Sequence, residues 1–463
     1  MNDPHIAADL RRWSGAWTSS APSDLVRLST DFGGLTHKWP AVVVRPSSAM
    51  QVAGVFHYAS RHGSTVTLRG AGHSLGGQTL TEGGIILDAK LMSHVSTPNV
   101  DDVYLDVAPG ADWASVVHTT ISLGLVPPVL TGALGTSVGG THSVGGIGYA
   151  SHLHGIQANH CIGLEVVTPN GEVHWCDANT ESELFRHVLC GLGQFGVVTQ
   201  VRHRLRRFRP FTRRWHFFYT HLRDMLRDLE VLADSRGPSY LAGYGASIDA
   251  RVGYSIGAAF EADDEHPDKA EAVLSSITPR FARGPTVERF HTYMKQPPLS
   301  DARGSAHAAA RGVINPWIDL LLPAAQVRPV LEEVLRCFPP RLLRGATMRF
   351  WPLFRSQITR PLFMIPDAER IIMAGVYMTA PDTERSAAMS ALTDATERLM
   401  AAGGKRYPYA WLPFDSSGWA RHFGARWPDV CRLKRQYDPQ MRLNRGIIQY
   451  GAETLAPSHA EVS

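Results

Sequence analysis

The chain has 463 residues, enough for two or three domains or lobes around a large core. Hydrophobic residues make up 44% and charged residues 19%, the proportions of an ordinary globular protein. The net charge of +4 is small for this length and gives no electrostatic argument for a nucleic-acid partner.

The N-terminus, MNDPHIAADLRRW, has no apolar signal region, and no apolar run later in the chain is long enough to span a membrane. A cytoplasmic protein without a membrane partner is expected. From residue 41 onward, strand and helix signals alternate. Residues 41–46 (AVVVRP) form a β-branched run stopped by proline. Residues 47–63 start with serine caps and end in glycine, which predicts a helix. Residues 64–70 (STVTLRG) predict a strand running into a glycine loop. Further strands are predicted over 83–92 and 103–111, and a helix over 112–124.

The loop after the 64–70 strand reads RGAGHSLGGQ (69–78), with His73 held among Gly70, Gly72, Gly76 and Gly77. Glycine lets a backbone turn tightly and approach a ligand, and successive N–H groups can face a phosphate. Taken alone, the loop is equally compatible with a solvated turn. A second cluster covers 130–155 (LTGALGTSVGGTHSVGGIGYASHLHG). Its glycines argue against an amphipathic helix or regular strand, and its interleaved Val138, Val144, Ile147 and Tyr149 argue against a flexible linker. A folded loop lying against a large ligand is expected there.

A strand with a P-N-G turn (161–176), a helix (182–193) and a strand (194–205) follow. The densest basic run, 201–215, reads as the solvated face and end of a strand, since no nucleic-acid module accompanies it. From about 210 to 410, aromatic strands (214–220, 240–249) alternate with helices such as 268–277, which suggests a separate α+β lobe. Residues 261–268 read as an exposed turn. The five cysteines are odd in number and lack a C-x-x-C pair, and the 21 histidines lack ligand spacing. Neither a disulfide framework nor a metal is expected.

Six segments in order now carry a resemblance: 69–78, 136–148 (TSVGGTHSVGGIG), 164–176 (LEVVTPNGEVHWC), 184–199 (LFRHVLCGLGQFGVVT), 315–323 (NPWIDLLLP) and 418–439 (GWARHFGARW…YDP). Over roughly residues 36–450 the chain resembles the FAD-binding flavoproteins of the vanillyl-alcohol-oxidase superfamily (p-cresol-methylhydroxylase or PCMH type), within them the cytokinin dehydrogenase-like branch. The resemblance implies an α+β fold: an N-terminal segment (1–35), a two-subdomain FAD-binding domain (36–209), an α+β cap domain (210–415) and a C-terminal segment (416–463) that returns to the FAD domain.

The resemblance also implies that His73 bonds covalently to the 8α-methyl of the flavin. Residues 130–155 contain no cysteine for a second link. By position, FAD contacts are expected from Gly70, Ala71, Gly72, His73, Ser74 and Gln78, from Gly132, Ser137, Ser143 and Ile147, and from Val198. The chain departs from the family at three places. Gly132 stands where the family carries an aspartate that accepts the substrate's proton, and glycine cannot act as a base. Asp319 stands where asparagine is usual. Near the C-terminus Arg445 and Ile447 replace the family's proline and glutamine beside Gly446, so flavin contacts there are expected to be lost or rearranged.

Asp319, His152 and His154 are therefore the candidate acid–base residues, and Trp317, Trp351 and Phe414 the candidate cavity walls. The expected activity is an FAD-linked oxidase or dehydrogenase that takes a hydride from a C–N or C–O carbon of a small organic substrate, with O₂ or another acceptor. A substrate from bacterial specialised metabolism is expected, rather than a cytokinin. A sugar or polyol oxidase of the same superfamily, and a redox-neutral FAD-dependent cyclase or isomerase, are the alternatives. A non-catalytic binding protein is disfavoured by the intact His73.

Overall fold

The computed structural model describes residues 4–248, 251–264, 270–294 and 312–451. The fold is α+β and rests on three sheets. The first has the strand order Trp17–Ser19, Val42–Arg45, Ile85–Asp88, Val66–Arg69, parallel except for its first member. Its helix Ala49–His62 follows the cap chemistry in the sequence: Ser48 accepts from the Gln51 N–H, and Gly63 ends the helix at φ +71°. Because Trp17–Ser19 pairs with Val42–Arg45, the segment before residue 36 belongs to this sheet rather than standing apart.

The second sheet is antiparallel, in the order Tyr104–Val107, Val197–Arg204, Cys161–Val167, Val173–Cys176. The third has eight antiparallel strands. Four of them, Tyr240–Ile248, Thr347–Phe354, Arg370–Tyr377 and Ile318–Pro323, lie side by side at its centre. Alternation sorts their side chains onto two faces. Leu320, Phe350, Ala374 and Val376 face a helix-covered core, while Leu321, Trp351 and Met373 join the core shared with the second sheet. After the helices Ser416–Phe423 and Trp427–Tyr437 the chain returns to the first sheet, where Leu443 bridges to Val66 and the Asn444 carboxamide accepts from the Leu68 N–H at 2.9 Å.

Four expectations need correction. The stretch 130–155 is not loop throughout: Val138–Val144 is helical, with Gly139 and Gly140 inside it. These glycines serve close packing. A Cβ at Gly139 would stand 2.7 Å from the Pro109 Cβ. The basic run 201–215 is not simply a solvated face. Arg202 clamps Asp106 with two 2.9 Å bonds, Arg206 donates to Tyr240 at 2.7 Å, and Arg213 is buried. The P-N-G turn joins two strands of a hairpin rather than sitting within one. Of the exposed turn expected at 261–268, residues 265–268 lie outside the described residues, and Glu261 and Ala262 are not turn but the end of the strand Arg251–Ala262, where Glu261 pairs with Arg206. The described part of the helix expected over 268–277 spans Ala270–Leu274. Among the described residues, no helix is long and apolar enough to cross a membrane, and no group of three or more His, Cys, Asp or Glu could hold a metal.

Candidate functional site

Two adjoining cavities run between the sheets. The first, about 760 Å³, extends from Val198, Leu192 and Asn444 past Arg69, Gln78 and Ser143 to Gly70 and Ser74. The second, about 1450 Å³, continues from Gly70, Gly72 and His73 to Gly132, Ser137 and Ile147, and is closed by the large sheet. Gly70, Ser74, Thr79, Gly140 and Val144 border both, so the two form one elongated space.

The strand Val66–Arg69 delivers the chain into the G-H-S loop. Gly72 sits at φ +76°, a backbone conformation that a side chain resists, and a Cβ at Gly70 would stand 2.1 Å from Ser137 Oγ. Ser137 Oγ instead accepts from the Ala71 N–H at 3.1 Å, which ties the two glycine segments together. The N-terminal segment clamps the loop from outside. The Asp31 carboxylate accepts from the Gly76 N–H at 2.5 Å and the Leu35 N–H at 2.8 Å, and the Phe32 N–H donates to the Ser74 carbonyl at 3.3 Å. The Phe32 ring stacks on His73 with centroids 5.1 Å apart. Burial, with a smaller contribution from Arg69, lowers the His73 pKa, so its imidazole is neutral and nucleophilic near pH 7. Gln78 donates to the Ala410 carbonyl at 2.7 Å, and its buried Oε1 has no partner.

The far wall is one face of the eight-stranded sheet. Register sets Asp319, Gly375 and Arg349 side by side on three neighbouring strands. Tyr377, two residues along from Gly375, crosses the space that glycine leaves empty. Its hydroxyl donates to Asp319 Oδ1 at 2.9 Å. A Cβ at Gly375 would stand 2.3 Å from that hydroxyl. Burial raises the Asp319 pKa to about 6 against the opposing pull of Tyr409, Tyr377, Arg406 and Arg349.

Of the residues singled out in the sequence, Gly70, Ala71, Gly72, His73, Ser74, Gly132, Ser137 and Ile147 border the second cavity, as do Trp317 and Trp351. Gln78, Ser143 and Val198 border the first. Ile447 also borders it, so the altered C-terminal segment still reaches this space.

Four residues are placed differently from expectation. His152 is fully buried away from both cavities, bonded through Nε2 to the Pro238 carbonyl at 2.9 Å, with its pKa lowered to about 4 by burial. His154 borders neither cavity, and burial together with Arg206 takes its pKa to about 4. Phe414 packs edge-on against Trp419 at 5.3 Å, inside the core. Asp319 is neither a surface carboxylate nor a cavity wall. It sits fully buried behind Tyr377.

The sequence reading missed Tyr377, Tyr409, Tyr407, Arg349, Arg69 and Phe32. One signal was available. In MRFWPLF (348–354), period-two alternation puts Arg349 on the same face as Trp351.

Two family models match the chain: an FAD binding domain over residues 40–177, and an FAD- and cytokinin-binding region described for cytokinin dehydrogenase 1 over 246–448. An uncharacterized oxidoreductase, ORF5 of the fasciation locus of Rhodococcoides fascians, is 31% identical over 94% of this chain and 98% of its own length. Cytokinin dehydrogenase 10 of Oryza sativa subsp. japonica is 30% identical over 91% of this chain and 86% of its own. In fold, the chain matches 6-hydroxy-D-nicotine oxidase of Arthrobacter nicotinovorans with TM-score 0.72 at 19% identity, covering 92% of this chain and 96% of that one. It matches a carbohydrate oxidase of Microdochium nivale with TM-score 0.77 at 16% identity, covering 96% and 98%.

Fold and site thus define a PCMH-type FAD-binding flavoprotein, an oxidoreductase. Within that class the chain belongs to the cytokinin dehydrogenase family. The residues present suit FAD. The partnerless Gln78 Oε1 and the bare Gly70, Gly140 and Gly193 backbone line the space formed by the two adjoining cavities, and Arg69 brings a cation to it.

Proposed function

We propose that the protein oxidises an alcohol carbon of a small organic substrate, with Tyr377 as the proton acceptor and Asp319 behind it. One observation carries this reading: a Tyr377–Asp319 pair at 2.9 Å stands in the sheet, with Tyr377 bordering the same cavity as Gly132, where the resemblance implies that the family carries its carboxylate. When bound, FAD supplies the hydride acceptor.

The chain's residues do the rest. His73 would hold the cofactor covalently. The loop Gly70, Ala71, Gly72 and Ser74, with Ser137, Ser143 and Ile147, would cradle it. Gln78 and Val198 would contact it from the first cavity, and Gly132 would leave room for substrate in the second. Trp317 and Trp351 flank the substrate and exclude water. As the carbon loses its hydride, the substrate hydroxyl passes its proton to Tyr377 Oη. Tyr377 passes its own to Asp319, whose raised pKa suits it to hold that proton near neutrality. An amine substrate is disfavoured because no carboxylate borders the cavity among the described residues to receive a cation.

The test is anaerobic mixing of the holoprotein with matched secondary alcohols and amines, following loss of the flavin colour. Bleaching by alcohols, abolished in Tyr377→Phe with FAD retained, is the expected result. Bleaching by amines alone, or full activity in Tyr377→Phe, refutes the reading. Oxygen uptake in the same samples tells whether O₂ closes the cycle.

A further inference from the structure

The two tryptophans that border the second cavity differ in what their indole N–H groups do. Trp317 Nε1 donates to the Met378 carbonyl at 2.9 Å. Trp351 is 4% exposed, and its buried Nε1 has no hydrogen-bond partner among the described residues. The rest of the ring is well supported. It meets Tyr149 edge-on at 6.2 Å and belongs to the core shared with the second sheet. A buried N–H without an acceptor is costly, so one on a cavity wall calls for a reason.

The reason lies at Gly132. A Cβ there would stand 3.7 Å from Trp351 Cζ2, an atom two bonds from Nε1, and 3.7 Å from Tyr149 Oη. The absent side chain leaves a notch beside the N–H end of the indole, on the cavity that Gly132 and Trp351 both border. An indole N–H donates and cannot accept. It therefore selects a group with a lone pair and offers nothing to an ammonium or a hydrocarbon. Strand register sets Trp351 diagonal to Gly375, over which the Tyr377 hydroxyl lies. Diagonal neighbours are about 7–8 Å apart, so one small molecule reaches both groups. We infer that Trp351 is a specificity-determining residue: its N–H holds a neutral oxygen acceptor of the substrate, a carbonyl or ether, seated in the notch at Gly132. The identity of the reacting group rests on the alcohol reading above; the acceptor site does not.

The experiment titrates the FAD-loaded protein, its tryptophans labelled with ¹⁵N, with acetophenone and with α-methylstyrene. The two share a shape, and only the ketone accepts a hydrogen bond. One indole N–H resonance is expected to move downfield with the ketone alone, and to be the one missing from Trp351→Phe. In that variant the ratio of ketone to alkene affinity should fall about fivefold or more. If Trp351→Phe yields no folded holoprotein, Gly132→Ala carries the assignment, since its methyl would stand 3.7 Å from the Trp351 ring and displace that resonance. No ketone binding, no ketone-specific shift, a shift on another tryptophan, or an unchanged affinity ratio in Trp351→Phe overturns the proposal. No turnover is involved, so the two readings fail separately. A ketone-specific shift without alcohol oxidation removes the alcohol reading and leaves the acceptor site standing. Alcohol oxidation without that shift does the reverse.

Discussion

Replacing Gly375 by alanine separates a working Tyr377–Asp319 pair from two side chains that merely pack together. The added methyl would stand 2.3 Å from the Tyr377 hydroxyl and 2.7 Å from Asp319 Oδ1, where ordinary contact begins at 3.4 Å. The hydroxyl must retreat by about 1 Å, and its 2.9 Å bond to the carboxylate is lost. A hydrogen bond to a charged group contributes about 1.5–3 kcal/mol. At about 1.4 kcal/mol per tenfold, the rate of flavin reduction should fall about 10- to 150-fold. Overpacking should also cost about 1–3 kcal/mol of stability, read separately as a lower Tm. The assay is anaerobic stopped-flow bleaching with a saturating alcohol substrate, repeated across pH. A folded Gly375→Ala holoprotein with wild-type rate and wild-type pH profile would refute the pairing.

Other outcomes follow from the same geometry. Asp319 must be ionised to receive a proton, and its pKa is raised to about 6; flavin reduction should therefore be full above that value and fall tenfold per unit below it, and a flat profile from pH 5 to 8 would count against it. In His73→Ala, acid precipitation should release the yellow colour into the supernatant, while the wild-type pellet keeps it. In that non-covalent background, adding Arg69→Gln should weaken FAD binding by about 10- to 150-fold in a fluorescence titration of the apoprotein, since the guanidinium borders the first cavity. Phe32→Ala removes the ring stacked on His73 and should lower the fraction of FAD bound covalently, counted from the same acid precipitation; an unchanged fraction would show that the Asp31 clamp alone orients the loop.

The cofactor end of the site was legible in the sequence because its chemistry is local. Gly70, Gly72, His73 and Ser74 are neighbours in the chain, and a loop that must approach a ligand closely announces itself by its glycines. The helix Ala49–His62 and the strands around it were legible for the same reason, since caps and alternation are short-range signals. The helix Val138–Val144 was not, because its glycines answer to Pro109 and to the facing loop rather than to helix propensity.

The reacting end could not be read from neighbours. Tyr377 and Asp319 are 58 residues apart, and Arg349 lies between them in the chain. Only the pairing of three strands through Gly375 sets them on one face. The sequence pointed to Asp319 but could not put Tyr377 in front of it. It also nominated His152 and His154, which stand near the glycine loop in the chain yet border neither cavity. The sequence by itself determined the two glycine segments that border the cavity and the opening that a glycine leaves at 132. Tertiary structure alone decided which groups face that opening, because strand register is a long-range property and one empty position in a sheet matters only through what crosses it.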